Sequence, residues 1–498
     1  MNRKAEKTAL PDEGRQIIRE TVTYGLSTYL SQVVFLVRGI VIARFLDPSL
    51  YGIWSFLKVC FFFSAYTGLG TANAMSREVP YNRGRGEDQK DEGIVSTSLF
   101  MTLTVALLVA LVALVWSFFE LVGPYAWELR LSAAFFVTSA IHFYIPMKLN
   151  GEQKIMDLSR YMFAYTLFTS LFGLLLMFAY GLKGLVGGML VASLSLHAAM
   201  VITGRLPYPL SFSAKIAGRL FITGFPIMVL SACVFMMHNM DKLIVFSMLG
   251  ATNTGYYGLA SFLSSLVYYI PSAISTVLFP RMMGDIGRVG IKMDENAYFF
   301  RPLLLLSGLM PVLLGVIFIN IDLPVILLLP KYIPAVGVLR VQVAGLVFST
   351  LWNIPANVAV AFDRQRTLMA VALGVLLLGG LFDVGAILLG YGIVGVAFGS
   401  ALMFFVAAVA ANVFAWFVLG KQMQGLPMFL FRLLAPFVYA GLCVWVAYRI
   451  PEANSIWMTN LLRTALYAGL VWPLVIYIDR KSNINQKIFG AFLKKRTA

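Results

Sequence analysis

Apolar stretches of bilayer-spanning length follow one another from residue 20 to residue 478, with only short polar breaks between them. A spanning helix needs about 20 apolar residues, so the chain reads as an all-α integral membrane protein. Composition agrees: 59% of the 498 residues are hydrophobic, 12% are charged and the mean hydropathy is +0.82, values foreign to a soluble domain of this size. We read about fourteen helices, the first six over 20–46, 51–78, 93–118, 129–147, 156–179 and 182–204. The next six cover 217–248, 254–280, 297–320, 334–361, 366–389 and 391–419, and a last pair covers 427–448 and 457–478.

The residues before helix 1 include Arg3, Lys4, Glu6, Lys7, Asp12, Glu13, Arg15 and Arg19. They are too polar for a signal peptide, and no small-residue cleavage site follows, so helix 1 is expected to remain. With an even helix number both termini share a side. If that side is cytoplasmic, the outer loops hold only Arg130, Lys183, Lys331 and Arg449 of the 39 Lys and Arg residues. Six more lie within spans, and the rest sit in the tails and inner loops. This asymmetry predicts cytoplasmic termini. A net charge of +16 placed in this way marks topology rather than nucleic-acid binding. The C-terminal tail, with Arg480, Lys481, Lys487, Lys494, Lys495 and Arg496, suits an anionic inner leaflet or simply a topology stop. Cys60, Cys233 and Cys443 lie in apolar runs and read as small core residues, and three scattered histidines make no metal site.

Two internal repeats organise the chain. Arg38 to Gly52 matches Asp241 to Gly255 without a gap: Arg38 with Asp241, Leu46 with Leu249 and Gly52 with Gly255, always 203 residues apart. Aromatics follow the glycine in both copies, Ile53-Trp54 and Tyr256-Tyr257. Further on, Tyr180-Gly181-Leu182-Lys183-Gly184 recurs as Tyr391-Gly392-Ile393-Val394-Gly395. Each is preceded by a polar inner loop, Gly151-Glu152-Gln153-Lys154 and Asp363-Arg364-Gln365-Arg366. The expected organisation is an N-terminal tail (1–19), a six-helix lobe (20–204), a cytoplasmic linker (205–216) and a second six-helix lobe (217–420). Two appended helices (421–478) and a basic tail (479–498) complete it. Both copies start from the same side, which makes the repeat parallel about an axis along the membrane normal, a known transporter plan.

Charges inside spans point to function. At mid-bilayer each costs at least about 2.5–3.5 kcal/mol on insertion scales, so such side chains face a protein interior or a wet cavity. The candidates are Arg38, Arg44, Lys58, Asp241, Lys242, Arg340, Asp383 and Arg463. Arg44 and Arg463 lie near outer helix ends, where a long stem can reach the interface. Arg38 is deeper and continues a stripe from Ser27 and Ser31, while His238, Asp241 and Lys242 share one helical face. Arg38 and Asp241 are expected at matching depth, either as a structural salt bridge between lobes, as the lining of a central cavity, or as both in turn. Lys58, Lys242 and Arg340 would add to a cationic lining suited to a phosphate or pyrophosphate headgroup. Asp241 and Asp383, the only acids away from the ends of spans, could carry a coupling ion or be simply neutralised.

The stretch Ala43-Arg44-Phe45-Leu46-Asp47-Pro48-Ser49-Leu50-Tyr51-Gly52 resembles the A-R-x-L-G-P-x-x-Y-G turn of polysaccharide transporters, with Asp47 in place of the usual glycine. Asp241-Lys242, Leu249-Gly250, Gly255-Tyr256-Tyr257 and Leu329-Pro330-Lys331-Tyr332 extend the likeness over helices 1–12. These transporters, with the O-antigen flippases of Wzx type among them, belong to the multidrug, oligosaccharidyl-lipid and polysaccharide (MOP) exporter superfamily. The resemblance implies a monomeric pair of lobes in the bacterial inner membrane that moves undecaprenyl-pyrophosphate-linked oligosaccharide to the outer leaflet for O-antigen, capsule or exopolysaccharide. It also implies alternating access, no bound cofactor, a proton or sodium gradient as driving force, and contact with membrane lipids and with polymerase or export machinery. Headgroup binding carries over to Arg38 and Lys242, and beyond them to Lys58 and Arg340, while His238 and Asp241 complete the expected cavity set.

Rival readings separate on sequence features. A lipid II flippase shares the fold, but the expected arginine-rich start of helix 1 is absent. A cation-coupled drug exporter should carry acids deep in helix 1, which has none. A polymerase or membrane glycosyltransferase needs a long outer loop with catalytic residues, whereas Glu120, Glu128 and Asp322 are isolated in short ones. A pure scaffold leaves the intramembrane charges without a purpose.

Overall fold

The structure, a computed structural model, describes residues 10–84, 91–118, 126–206, 210–289, 294–362, 364–453 and 455–482. The expected tails therefore lie partly outside it (1–9 and 483–498), as do 207–209 of the linker, Glu120 and Asp363. Among the described residues the regular structure is helical and no strand occurs.

The chain divides into two compact units, Met1–Ala232 and Cys233–Ala498. The first contains α1 (Leu10–Phe45), α2 (Pro48–Phe63), α3 (Thr71–Gly84), α4 (Asp91–Trp116), α5 (Ala126–Gly151), α6 (Ile155–Ile202) and most of α7 (Ala214–Met237). The second contains α8 (Met240–Val289), α9 (Arg301–Asn320), the short α10 (Asp322–Leu328), α11 (Ala335–Thr350), α12 (Asn353–Ala361), α13 (Gln365–Leu388) and α14 (Gly392–Val418). The appended pair is α15 (Leu426–Ala447) and α16 (Ile456–Ser482).

Twelve helices of the described residues are long and apolar enough to cross a membrane. Two long helices each conceal a reversal. α6 breaks at Gly181 (φ 60°, ψ −138°) and α8 at Gly250 (φ 80°, ψ 178°), backbone regions that essentially only glycine enters. Counting the two arms of α6 separately, and the second arm of α8 as a further helix, brings the number near the fourteen expected. The second repeat is visible in the backbone, since Gly392 has φ 56° beside the 60° of Gly181. The first repeat departs at its turn. Asp47 sits where the second copy has Gly250, and its φ of −72° and ψ of 158° are open to any residue. The loss of the family glycine therefore accompanies a turn that does not need one.

One expected helix is divided. Instead of running through 217–248, the chain ends α7 at Met237, turns at His238 and Asn239, and restarts at Met240.

Each unit has its own interior. In the first, Met75, Ile94, Tyr144, Ile145 and Leu220 are fully buried together, and the Tyr144 hydroxyl donates to the Val95 carbonyl at 2.7 Å. In the second, α15 and α16 pack on α9 around Ile319, Cys443, Tyr467 and Val471. The buried Tyr467 hydroxyl donates to the Pro311 carbonyl at 3.0 Å, in space that a Cβ on Gly315 would fill. Close approach over small residues is how helices associate where lipid removes the hydrophobic drive. Outward faces are apolar: Leu107, Leu108, Leu111 and Val112 on α4 and Leu377, Leu381 and Leu388 on α13 stand exposed, as suits contact with acyl chains.

Candidate functional site

In the first unit the intramembrane cations rest on aromatic rings. Arg38 of α1 is half-buried, with its guanidinium carbon 5.2 Å from the Phe35 ring centre. It interacts electrostatically with the hydroxyls of Tyr165 on α6 and Tyr51 on α2. Among the described residues of this unit no carboxylate lies within ion-pair distance of it. The Lys58 ammonium lies 5.5 Å from the Tyr51 ring centre and 5.8 Å from that of Trp54, so Tyr51 borders both cations. Helix geometry explains the set: Tyr51, Trp54 and Lys58 recur at three- and four-residue spacing on one face of α2. Charge lying on a ring face is attracted by the ring quadrupole, and at Arg38 such a contact leaves N–H donors for a ligand. Ser31, expected on a polar stripe with Arg38, instead turns its hydroxyl back to the Ser27 carbonyl at 2.8 Å.

Behind Tyr165 lies a buried polar chain that the sequence did not suggest. The Tyr161 hydroxyl is 3.0 Å from His142 Nδ1 and 3.2 Å from His197 Nε2. One hydroxyl proton serves only one acceptor, so at least one imidazole must donate N–H to the tyrosine oxygen. The Tyr165 ring stacks on His142 at 3.5 Å and 9°.

The second unit contains a cavity of about 230 Å³ lined by His238, Asn239, Asp241, Lys242, Gln342 and Ser400 among others. The helix break builds it. Ending α7 at Met237 frees carbonyls, and Lys242 Nζ turns back to the His238 carbonyl at 3.3 Å and to Asn239 Oδ1 at 2.8 Å. Irregular backbone at membrane depth is tolerated where such partners satisfy it beside a cavity. Lys242 is therefore not spent on Asp241. The Asp241 carboxylate accepts from the Lys242 backbone N–H at 2.8 Å and from the fully buried Tyr257 hydroxyl at 2.7 Å. Ser400 Oγ stands 3.5 Å from Asp241 Oδ2 and 3.5 Å from Asp383 Oδ1. Asp383, only 1% exposed, has no cationic side chain in ion-pair distance among the described residues. Two carboxylates thus approach one hydroxyl, with the Lys242 ammonium acting electrostatically on the nearer of them, Asp241.

His238, Asp241, Lys242 and Asp383 thus converge, the last through Ser400. Arg340 does not join them: its Nη2 meets Asp322 at 3.3 Å, and its guanidinium lies 5.7 Å from the Tyr448 ring centre. Arg44 is exposed near the end of α1. Sequence reasoning missed Tyr165, Tyr161, His142, His197, Ser400 and the role of Tyr257. The repeat held one usable signal. Its matched aromatics, Trp54 and Tyr257, each lie against an intramembrane charge, Lys58 in one unit and Asp241 in the other.

A family model described as polysaccharide biosynthesis protein matches residues 17–284, more than half of the chain. No curated protein matches at a significant level. Among solved structures, the lipid II flippase MurJ in an inward closed conformation is similar with a TM-score of 0.65 at 15% identity, over 92% of this chain and 99% of that one. An inward-facing multidrug resistance MATE family transporter gives 0.64 at 12% identity, over 78% and 94%. A MOP superfamily transporter from Pyrococcus furiosus, described as having a binding pocket of reverse polarity, gives 0.56 at 15% identity, over 82% and 96%. The fold is that of the MOP superfamily, and the chain belongs to the polysaccharide biosynthesis protein family.

Proposed function

We propose that this protein is a flippase, not an enzyme, that carries undecaprenyl-pyrophosphate-linked oligosaccharide from the inner to the outer leaflet of the bacterial inner membrane by alternating access. The observation that carries the reading is Arg38: a guanidinium within an apolar span, set on Phe35, with no acid in ion-pair distance among the described residues of its own unit. A cation held this way in low dielectric attracts an anionic group, and a pyrophosphate headgroup is the anion that family membership makes relevant. Lys58 and Lys242 add to the same positive charge. The carboxylates Asp241 and Asp383 take the coupling cation, a proton or sodium. Both termini face the cytoplasm, and the working form is a monomer among lipids that hands its cargo to polymerase or export machinery.

The test is genetic and chemical. In a strain lacking the gene, lipid-linked oligosaccharide accumulates in the inner leaflet, and the wild-type gene restores export. Arg38→Ala reaches the membrane at normal levels and restores none. Normal export by that variant, or unpolymerised intermediates appearing in the outer leaflet of the deletion strain, would defeat the proposal.

A further inference from the structure

The turn between α15 and α16 holds a concentration of positive charge that the transport reading leaves unused. The guanidinium carbons of Arg340 and Arg463 lie 5.7 and 4.7 Å from the centre of one ring, that of Tyr448. Among the described residues Asp322 is the only carboxylate paired with either arginine, and Asn460 Nδ2 shares it at 2.9 Å. Arg463 is held through Nη2 by the Ile450 carbonyl at 3.2 Å. Three further polar atoms, Arg340 Nε, Arg463 Nε and the Tyr448 hydroxyl, are shielded from solvent and have no hydrogen-bond partner among the described residues. Two cations thus stand beside one acid, with N–H and O–H donors unanswered on both guanidiniums and on the ring between them.

Buried donors and charges are normally paired. A surplus of one positive charge accompanied by unanswered guanidinium N–H donors calls for an oxyanion, and phosphate supplies acceptor oxygens for them. The surroundings favour a lipid as its source. Arg449 stacks on Trp445 at 4.2 Å, and Trp445 and Trp457 are 58% and 54% exposed beside this turn. Exposed tryptophan beside arginine is the signature of headgroup depth.

We infer that Arg340, Arg463 and Tyr448 form a binding site for the phosphate of an anionic lipid headgroup, separate from the Asp241–Lys242 cavity. It rests on the transporter reading only for which leaflet the site faces, and binding is measured without transport. Purified full-length protein in neutral detergent is titrated with phosphatidylglycerol, and thermal unfolding is followed. Wild type and Arg366→Gln, a charge change on another helix, gain stability with the same apparent affinity. Arg463→Gln weakens that affinity about tenfold or more, and Tyr448→Phe weakens it in the same direction. Asp322→Asn enlarges the surplus charge and tightens binding severalfold, which loss of a merely structural ion pair would not do. Equal stabilisation by inorganic phosphate alone, lost in the same variants, assigns the site to a free anion. Identical lipid responses in wild type, Arg463→Gln and Asp322→Asn, or no response in wild type, would overturn the inference.

Discussion

Replacing Asp383 by asparagine probes the cation site without disturbing its shape. Ser400 Oγ lies 3.5 Å from an oxygen of each aspartate, so those two oxygens are at most 7.0 Å apart, twice 3.5 Å. Two unit negative charges at that separation repel by about 2.4 kcal/mol at an effective dielectric constant of 20. A cation taken up beside Ser400 removes that repulsion. In Asp383→Asn the repulsion is already gone, so uptake gains about 2.4 kcal/mol less, close to fiftyfold in affinity. The asparagine oxygen can still accept from Ser400. The variant should therefore be as stable as wild type or more so when ions are absent. Its unfolding temperature should respond less to added sodium, or to acidification, whichever stabilises wild type. Translocation of lipid-linked oligosaccharide in proteoliposomes should stop following an imposed gradient of that ion. A variant that keeps the wild-type ion dependence in both measurements would show that the pair of carboxylates does not hold the coupling ion.

Two further expectations concern the scaffold. Gly250→Ala forces a side chain onto φ 80° and ψ 178° and should cost about 1–3 kcal/mol. Asp47→Gly, at the equivalent turn with φ −72°, should stay within about 1 kcal/mol of wild type. Thermal midpoints in detergent compare the two, and equal losses would contradict the turn assignment. Glu152, outside the spans, pairs with Lys148 at 3.0 Å and Lys154 at 2.8 Å. Burial acts to raise its carboxyl, but the two lysines outweigh it and hold the group below its usual value of 4.5. A depressed carboxylate contributes stability above its unfolded value and loses it as pH falls through the folded one. Glu152→Gln should be less stable than wild type at pH 7, with the gap closing below pH 4.5. Melting curves that stay parallel from pH 7 to pH 3 would refute this.

The membrane class, the fourteen spans and the turn repeat were legible because bilayer thickness and chain reversal are written locally, in run length and in glycine. The intramembrane charges were legible too, since hydrocarbon makes each one conspicuous. What sits beside each charge was not. Arg340 and Gln342 are two residues apart on α11, yet Gln342 lines the cavity and Arg340 turns to Asp322 and Tyr448, because residues two apart on a helix point to different sides. The Tyr161 chain joins His142 of α5 to His197 of α6, and it takes both the reversal of α6 at Gly181 and the packing of α5 against α6 to bring the three together. The break at His238 and Asn239 carries no proline or glycine. It depends on Lys242 being free to answer the carbonyl that the break exposes, and neighbour spacing alone cannot reveal that.

That break has a mechanical consequence. Between it and Gly250, residues 240–249 form a rod about 15 Å long at 1.5 Å per residue, detached from helical continuity at both ends. Asp241 and Lys242 sit side by side on the rod, about 100° apart around its axis. Both line the cavity, so a pivot of the rod would move an acid and a base together against the remaining walls while the neighbouring helices stay in place.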